Sequence, residues 1–471
     1  MSKKKSKVGA KSKQQEPPRS RTPHSAEFMK FIASGWTAAG DSKVATWDVA
    51  KFASARRAEL AKLFPGKVLL IEAGEAKTRS NDTEFRYRPH SAFAHLTGWG
   101  SATVPDSALV IDARKKSPKS TLYFRPTAGR DTSEFFANPA IGEFWVGPRP
   151  NLEAVSAQLA IPCLDLAELP KLRKKHSKLL LTLSDPELSR AVSELRMVKD
   201  QFEVAEMRKA VAATVSGFTD IVRALPDAVR HPRGERVIEG AFFARARLEG
   251  NDLGYETIAA AGPHACTLHW IRNDGPVRRS DLVLVDAGVE LDSLYTADIT
   301  RTLPASGKFT KLQRQLYAIV LRAADAAFAA AKPGIKFREV HEAAMQVIAH
   351  EVAKLGILPI TPEESLDPER QLHRRWMVHG TSHHLGLDVH DCAQAKRELY
   401  LDSELRPGML FTIEPGLYFH SDDELVPEGM RGIGIRIEDD VLVTETGVEN
   451  LSAALPRTPA EIETWMASLL K

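Results

Sequence analysis

The first part of the chain alternates short apolar runs with amphipathic segments. Apolar positions recur at helical spacing in ASARRAELAKLFPG (53–66), which Pro65-Gly66 ends. A second helix is predicted for NLEAVSAQLA (151–160), and strands are predicted for the apolar runs at 67–74, 107–113, 120–126 and 179–183. Because strands and helices alternate, we predict a smaller α/β domain over residues 45–185.

A long helical pattern then covers residues 184–225. It starts with Asp185 followed by proline, a typical helix start, and it breaks after residue 199. We therefore predict a linking helix over 186–199 and a second domain over 200–471.

Beyond residue 250 the apolar pattern changes to that of strands. Helices are predicted before and between them, at 235–250, 310–331 and 336–355. Strands are predicted from YETIAAAG (255–262), CTLHW (266–270) and the runs within 280–304, 408–419 and 432–447. This order predicts an α+β domain with helices outside and a mainly antiparallel, curved sheet inside.

Charge is distributed unevenly along the 471 residues. The net charge is +3, but residues 1–22 hold eight Lys/Arg against one acid, so the rest of the chain is about −4. Residues 1–40 are poor in large apolar side chains and rich in Lys, Ser, Pro and Gln at their start, which predicts a disordered basic tail. We expect a solubilising tail rather than one that contacts nucleic acid.

Cysteine usage and hydropathy indicate the compartment. The three cysteines, Cys163, Cys266 and Cys392, are scattered and form no CxxC pair, which suits a reducing environment. No apolar run approaches the roughly 18 residues of a membrane span. We expect a cytoplasmic protein without membrane contact.

Candidate chemistry begins with two aspartates of one predicted hairpin. Asp286 ends the apolar run DLVLVD, and Asp298 lies in LYTADITRT. A hairpin that turns near Asp292-Ser293 places Asp286 directly opposite Asp298, with Cβ atoms about 5 Å apart. At such a short distance, two carboxylates repel one another unless they share a proton or a metal.

Three further residues complete a set of hard ligands. Glu414 ends the apolar run MLFTI, Glu438 follows Arg436 in IGIRIED, and His383 lies in the histidine-rich stretch WMVHGTSHHLGLDVHD. Two Asp, two Glu and one His suit two divalent ions, most naturally Mn²⁺, although Co²⁺, Zn²⁺ or Fe²⁺ also fit such donors. A dinuclear site of this kind holds a bridging water as hydroxide, which is hydrolytic chemistry.

These segments resemble the pita-bread metallopeptidase family, and most closely its Xaa-Pro aminopeptidases (aminopeptidase P). The resemblance runs from about Arg56 to Val448 and is carried by RRAELAKLFPGKVLLIEAG, TEFRYRPHSAFAHLTGW, LVLVDAG, ADITRT, HGTSHHLGLDVHD, TIEPGLY and RGIGIRIEDD. It implies a C-terminal pita-bread domain preceded by an N-terminal domain of the aminopeptidase P type.

The resemblance also implies a role for each site residue. Asp286, Asp298, His383, Glu414 and Glu438 bind two metal ions, with Asp298 and Glu438 bridging them. Glu414 moves a proton from the water to the leaving nitrogen, while His390 and His269 bind the substrate and stabilise the intermediate. His379 lines the pocket for the residue after the scissile bond, and Arg436 and Tyr418 orient the metal-binding carboxylates.

The implied function is a metallo-exopeptidase that hydrolyses the first bond of a peptide with proline at position two. Prolidase has the same fold and metals but accepts only Xaa-Pro dipeptides, and the sequence separates the two only through overall resemblance. An inactive pita-bread domain that serves in binding typically lacks metal ligands, whereas all five are present here. The resemblance further implies a homodimer or homotetramer.

Overall fold

Two large hydrophobic cores occupy the two parts of the chain. The computed structural model describes residues 22–23, 25–37, 44–81 and 83–470. One core is built from residues between Leu60 and Val192, and the larger one from residues between Met197 and Met466. Across the described ranges, no helix combines the length and apolar character that crossing a bilayer requires.

The N-terminal part is a five-stranded mixed sheet with helices around it. Its helices are α1 (Ala26–Ile32), α2 (Val49–Leu63), α3 (Ser91–Thr97), α4 (Ser133–Ala137), α5 (Glu143–Val146), α6 (Leu152–Leu159) and α7 (Leu169–His176). Its strands are β1 (Val68–Glu72), β2 (Thr78–Ser80), β3 (Thr83–Glu84), β4 (Ala108–Asp112), β5 (Lys119–Phe124), β6 (Cys163–Asp165) and β7 (Leu180–Thr182). The sheet order is β6-β5-β4-β1-β7, with antiparallel pairs in the middle and parallel pairs at both edges.

Helix α1 lies within the segment 1–40 for which the sequence predicts disorder. The Ser25 hydroxyl caps it by accepting from the Phe28 N–H at 3.1 Å, and the Phe28 ring packs on Phe136 with centroids 5.3 Å apart. Residues 26–32 are therefore helical, and an aromatic side chain of this helix packs on the N-terminal part. Residues 1–21, 24 and 38–40 of the predicted tail lie outside the described part of the chain, where disorder stays a prediction.

The chain between the two cores contains a helix that is shorter than the linking helix predicted over 186–199, and the domain limits themselves stay predictions. Helix α8 (Pro186–Glu194) ends five residues before residue 199, and α9 (Gln201–Arg230) starts with a capping box at Asp200. After a turn at residues 195–197, Val198 forms a bridge with Met409 and the Lys199 N–H donates to the Gly408 carbonyl at 2.8 Å.

The C-terminal part is α+β with antiparallel strand pairs, as the sequence predicts. Its helices after α9 are α10 (Gly234–Glu249), α11 (Lys311–Ala330), α12 (Phe337–Lys354), α13 (Pro362–Ser365), α14 (Arg397–Tyr400) and α15 (Pro459–Leu469). Its strands are β8 (Asp252–Leu253), β9 (Ile258–Ala261), β10 (Leu282–Ala287), β11 (Val289–Glu290), β12 (Ile299–Pro304), β13 (Leu410–Ile413), β14 (Gly416–Phe419), β15 (Ile433–Arg436), β16 (Asp439–Val443) and β17 (Val448–Asn450). The sheets are ordered β12-β10-β9, β11-β8, β13-β16-β17 and β14-β15.

The strand predicted for CTLHW (266–270) is wrong. Residues Gly262–Cys266 form a 3-10 helix, and the chain continues as a turn. The loop folds around the buried Glu235 carboxylate, which accepts hydrogen bonds from the Trp270 indole at 2.9 Å and from the His264 ring at 2.7 Å. These side-chain bonds hold the segment away from a sheet ladder.

Candidate metal centre and substrate cavity

The two aspartates lie on one face of the β10–β12 hairpin, but they are not directly opposite. Asp286 pairs with Thr300, so Asp298 is its diagonal neighbour. The expected register assumed a turn centred near Asp292, whereas the turn is centred one residue later and contains Leu294 in the left-handed region (φ 71°). A shift of two residues keeps side chains on the same face, so both carboxylates still point into one site.

A tyrosine joins the two aspartates. The single proton of the Tyr255 hydroxyl is shared between Asp286 Oδ1, which lies 2.6 Å from the hydroxyl oxygen, and Asp298 Oδ1. Burial raises the pKa of Tyr255 well above its ordinary value, with the two carboxylates adding to the rise. Tyr255 therefore stays a neutral donor that lies between the two carboxyl groups on one side of the site.

His383 presents one ring nitrogen to the carboxylates. Its Nδ1–H donates to the His384 carbonyl at 3.1 Å, which leaves Nε2 facing Asp298 Oδ2 at 3.3 Å and Glu414 Oε1 at 3.5 Å. The residue is fixed by β13, since the Thr412 N–H donates to its carbonyl at 3.0 Å. Glu414 follows that same strand, so one strand positions both side chains.

Arg436 is the last residue of β15, and Glu438 directly precedes β16. The Thr300 hydroxyl donates to Glu438 Oε2 at 2.6 Å and accepts from Arg436 Nε at 3.1 Å. Arg436 also forms an ion pair with Asp286 Oδ2 at 2.5 Å. The guanidinium is thus bound to a carboxylate of the neighbouring hairpin, while Glu438 lies close to Asp298 and His383.

The carboxylates are too crowded to be ionised together without a cation. Burial raises the pKa of Asp298, with Asp286 adding to it, and burial together with Asp298 and Glu414 raises the pKa of Glu438 well above its usual range. Burial also raises the pKa of Glu414 to about 7 although His383 opposes the rise. For His383, burial is outweighed by Asp298 and Glu414, which raise its pKa to about 9.

This donor set fits divalent metal ions. Ligand atoms of Asp298, His383 and Glu438 lie within 4.8 Å of one another. Asp286 and Glu414 border the same group through Tyr255 and His383 respectively. Cations would remove the repulsion that otherwise keeps protons on these carboxylates, and hard oxygen donors with one imidazole are suitable ligands.

A cavity of about 480 Å³ opens beside this group. Nine of the ten predicted site residues line it, namely Asp286, Asp298, His383, Glu414, Glu438, His269, His379, His390 and Arg436. The tenth, Tyr418, lies behind the wall, with its hydroxyl accepting from Arg436 Nη1 at 3.0 Å and lying 2.7 Å from His379 Nε2.

The three other histidines of the predicted site occupy different parts of the cavity wall. His379 is held as a neutral ring, because Nδ1–H donates to the Gly380 carbonyl at 2.7 Å, and burial, with Arg436, lowers its pKa to about 3. His390 packs edge-on against His383 with ring centroids 4.4 Å apart. His269 is exposed on the loop that Glu235 holds.

Sequence reasoning missed the residues that support the ligands. Tyr255 and Thr300 each contact two of the predicted site side chains, and Glu235 fixes the loop of His269. Thr300 lies two positions after Asp298 on one strand, a spacing that places both on the same face and was available from the sequence. Tyr255 and Glu235 carry no such signal, because their partners are distant in the chain.

Comparison with known proteins identifies the family. The model of Metallopeptidase family M24 matches residues 205–445, and that of the Aminopeptidase P N-terminal domain matches residues 53–180. Xaa-Pro aminopeptidase 1 of Streptomyces coelicolor is 46% identical over 94% of this chain and 93% of its own length. The Xaa-Pro aminopeptidase of Escherichia coli is 33% identical over 89% of this chain and 98% of its own.

Solved structures agree with the sequence relatives. Zinc-substituted Escherichia coli aminopeptidase P in complex with product superimposes with a TM-score of 0.78 at 32% identity, covering 90% of this chain and all of that one. Pseudomonas aeruginosa aminopeptidase PepP gives a TM-score of 0.76 at 27% identity, covering 89% and 98%. The chain therefore belongs to metallopeptidase family M24 and is a metal-dependent aminopeptidase with the two-part fold of aminopeptidase P.

Proposed function

We propose that this enzyme removes the N-terminal residue from peptides that carry proline at position two. The observation that carries the proposal is the convergence of four carboxylates and one imidazole beside a cavity lined by three further histidines. Xaa-Pro aminopeptidases are the relatives matched over most of the chain. Proline calls for a dedicated enzyme, because its ring restricts the chain and its nitrogen lacks a proton.

In this proposal five residues hold two divalent ions, namely Asp286, Asp298, His383, Glu414 and Glu438. When bound, such ions supply Lewis-acid chemistry, since they acidify water and offset negative charge on the scissile carbonyl oxygen. The chain's own part is to hold these ligands in place through Tyr255, Thr300 and Arg436.

Glu414 is the proposed proton carrier. It follows β13 at the cavity wall, with Oε1 3.5 Å from His383 Nε2 and Oε2 3.5 Å from His379 Nδ1. From there its carboxylate takes the proton of the attacking water and returns it to the leaving proline nitrogen.

The histidines are proposed to bind the substrate. His390 and His269 are exposed to the cavity, where they donate hydrogen bonds to the scissile carbonyl and stabilise the negative charge that develops on its oxygen. His379, held neutral beside Tyr418, lines the pocket for the residue after the scissile bond.

The metal, the assembly and the location are further proposals. We propose Mn²⁺ as the native metal, because four of the five ligands are carboxylates. A cytoplasmic location is supported by three unpaired cysteines, Cys163, Cys266 and Cys392. A homodimer or homotetramer, and domain limits at 45–185, 186–199 and 200–471, are proposed from the family resemblance and the break before α9.

The test is Mn²⁺-dependent hydrolysis of an Xaa-Pro-Xaa tripeptide. His383→Ala is expected to lower kcat/KM by more than about 100-fold. Loss of a residue that only supports a metal ligand reduces metal affinity or activity by up to about 100-fold, and loss of a ligand itself should cost more. His350→Ala, on the exposed side of α12, is the matched control and is expected to match wild type. Cleavage of Xaa-Pro dipeptides alone would favour a prolidase, and absence of both metal and activity would favour a binding module.

A further inference from the structure

Two chain segments carry most of the site, and they touch one another away from the cavity. The aspartate hairpin, residues 286–298, joins Asp286 to Asp298, and the histidine loop, residues 383–390, joins His383 to His390. The Thr296 N–H of the hairpin donates to the Gly386 carbonyl of the loop at 3.0 Å. Leu294 and Tyr295 of the hairpin also share a buried apolar cluster with Leu385 and Leu387 of the loop. These contacts join the two segments to one another but do not join either of them to the segment around Arg88.

One arginine of the N-terminal part connects both segments. Arg88 Nε donates to Glu290 Oε2 of the aspartate hairpin at 2.6 Å, and Arg88 Nη2 donates to the Leu387 carbonyl of the histidine loop at 2.5 Å. Its third nitrogen, Nη1, donates to Ser91 Oγ at 3.1 Å. A planar guanidinium with five N–H donors is suited to such a three-way contact, and an ammonium group is not.

The contact is anchored on the N-terminal side. The neighbouring His90 N–H donates to the Ala73 carbonyl at 2.8 Å, which ties this segment to the chain just after β1. The Ser91 hydroxyl donates to Asp388 Oδ1 at 2.5 Å, so a second N-terminal residue holds the histidine loop. Glu290 is only 4% exposed, so the guanidinium pairs with a carboxylate that has little access to water.

His383 and His390 depend on these contacts to different degrees. His383 is fixed by β13 through its backbone bond to Thr412, independently of the N-terminal part. His390 lies beyond Leu387 and Asp388, on the part of the loop that Arg88 and Ser91 hold. Arg196 and Lys199 also pair with Asp388 (3.1 Å) and Asp391 (2.9 Å), so these ion pairs remain when Arg88 is lost. Loosening the Arg88 contact therefore shifts His390 without releasing the loop, while the proposed metal ligand His383 stays in place.

We propose that Arg88 is a positioning residue through which the N-terminal part of the chain sets the place of His390 in the cavity. The inference rests on the proposed function, because it acts through the substrate contact of His390. Misplacing such a group by about 1 Å can reduce the rate of the chemical step by about 100-fold. The N-terminal part is then a component of the active site rather than an appended domain.

The experiment compares Arg88→Ala with Arg86→Ala on the Xaa-Pro-Xaa tripeptide. Arg86 is the matched control, because it also joins the two parts, at Asp252 (2.8 Å) and the Asn251 carbonyl (3.0 Å), but does not touch the histidine loop. We expect Arg88→Ala to lower kcat about 10- to 100-fold, with Mn²⁺ stoichiometry and affinity within about twofold of wild type. Arg86→Ala is expected to stay within about threefold of wild type in kcat.

Two further measurements separate positioning from a general loss of structure. Methylguanidine added to Arg88→Ala is expected to restore part of kcat, and Arg88→Lys is expected to fall between wild type and alanine. If Arg88→Ala does not fold, Arg88→Lys carries the same comparison. Equal kcat for the Arg88 and Arg86 variants, or loss of Mn²⁺ from Arg88→Ala, would overturn the inference. An inactive wild-type enzyme that binds Mn²⁺ would instead contradict the proposed function.

Discussion

Replacing Tyr255 by phenylalanine should weaken metal binding without removing a ligand. The Tyr255 hydroxyl is shared between Asp286, at 2.6 Å, and Asp298, and the ring is buried beside them. Phenylalanine keeps the ring and deletes only the donor. Both carboxylates then lose the group that fixes their orientation before a cation arrives.

The size of the effect follows from the contacts. A hydrogen bond to a charged acceptor contributes about 1.5–3 kcal/mol, and each 1.4 kcal/mol changes an equilibrium constant tenfold. Loss of a group that orients a metal ligand typically reduces metal affinity about 10- to 100-fold, which agrees with the range that these hydrogen-bond energies give. We therefore expect Tyr255→Phe to bind Mn²⁺ about 10- to 100-fold more weakly than wild type.

Isothermal titration of metal-stripped protein with Mn²⁺ measures this directly. Tyr317→Phe is the matched control, because the Tyr317 hydroxyl donates to the Arg457 carbonyl at 3.0 Å and Tyr317 is buried but does not line the cavity. It should bind Mn²⁺ within about threefold of wild type. Affinity of Tyr255→Phe equal to wild type or tighter, or an equal loss in both variants, would refute the reasoning.

Three other variants or conditions test the supporting structure. Glu235→Gln replaces an oxygen that accepts two hydrogen bonds of the 261–275 loop, so we expect destabilisation by about 2–4 kcal/mol, seen as a lower unfolding temperature. Asp391→Asn leaves Lys199 buried and unpaired (Nζ to Oδ2, 2.9 Å), which should cost about 3–5 kcal/mol. Burial opposes ionisation of Asp391, but Arg196 and Lys199 hold its pKa well below its usual range. The stabilisation by the ionised Asp391 carboxylate is therefore complete above about pH 4 and is lost as the pH falls further. The difference in unfolding temperature between wild type and Asp391→Asn should accordingly narrow from about pH 6 to about pH 3. Mn²⁺ at about 100 times its Kd should stabilise wild type by about 2.7 kcal/mol, and His383→Ala should lose this shift.

Register was the weakest sequence inference within the site. The apolar run before Asp286 predicted its strand, and the same-face placement with Asp298 was correct. The direct pairing was wrong, because it depended on the turn, and Leu294 in the left-handed region shifts the turn centre by one residue. Strand patterns repeat every two residues, so they fix the face of a side chain but not its partner.

The 261–275 loop shows a second limit of sequence inference. CTLHW has the composition of a strand, but Glu235, about thirty residues earlier, binds Trp270, His264 and two backbone N–H groups of this loop. Local propensity predicts what a segment prefers in isolation, and a buried carboxylate with four donors outweighs that preference. Nothing in the spacing of these residues indicates the contact.

The sequence by itself determined the two-part α/β and α+β order, because apolar periodicity is a local property. Together with the family resemblance, it also predicted the proposed ligand set. Tertiary structure alone decided which groups support that set. Tyr255 between the aspartates, Thr300 between Glu438 and Arg436, and Arg88 between the hairpin and the histidine loop are all contacts across the fold. Such contacts depend on how separate elements pack, which no local pattern records.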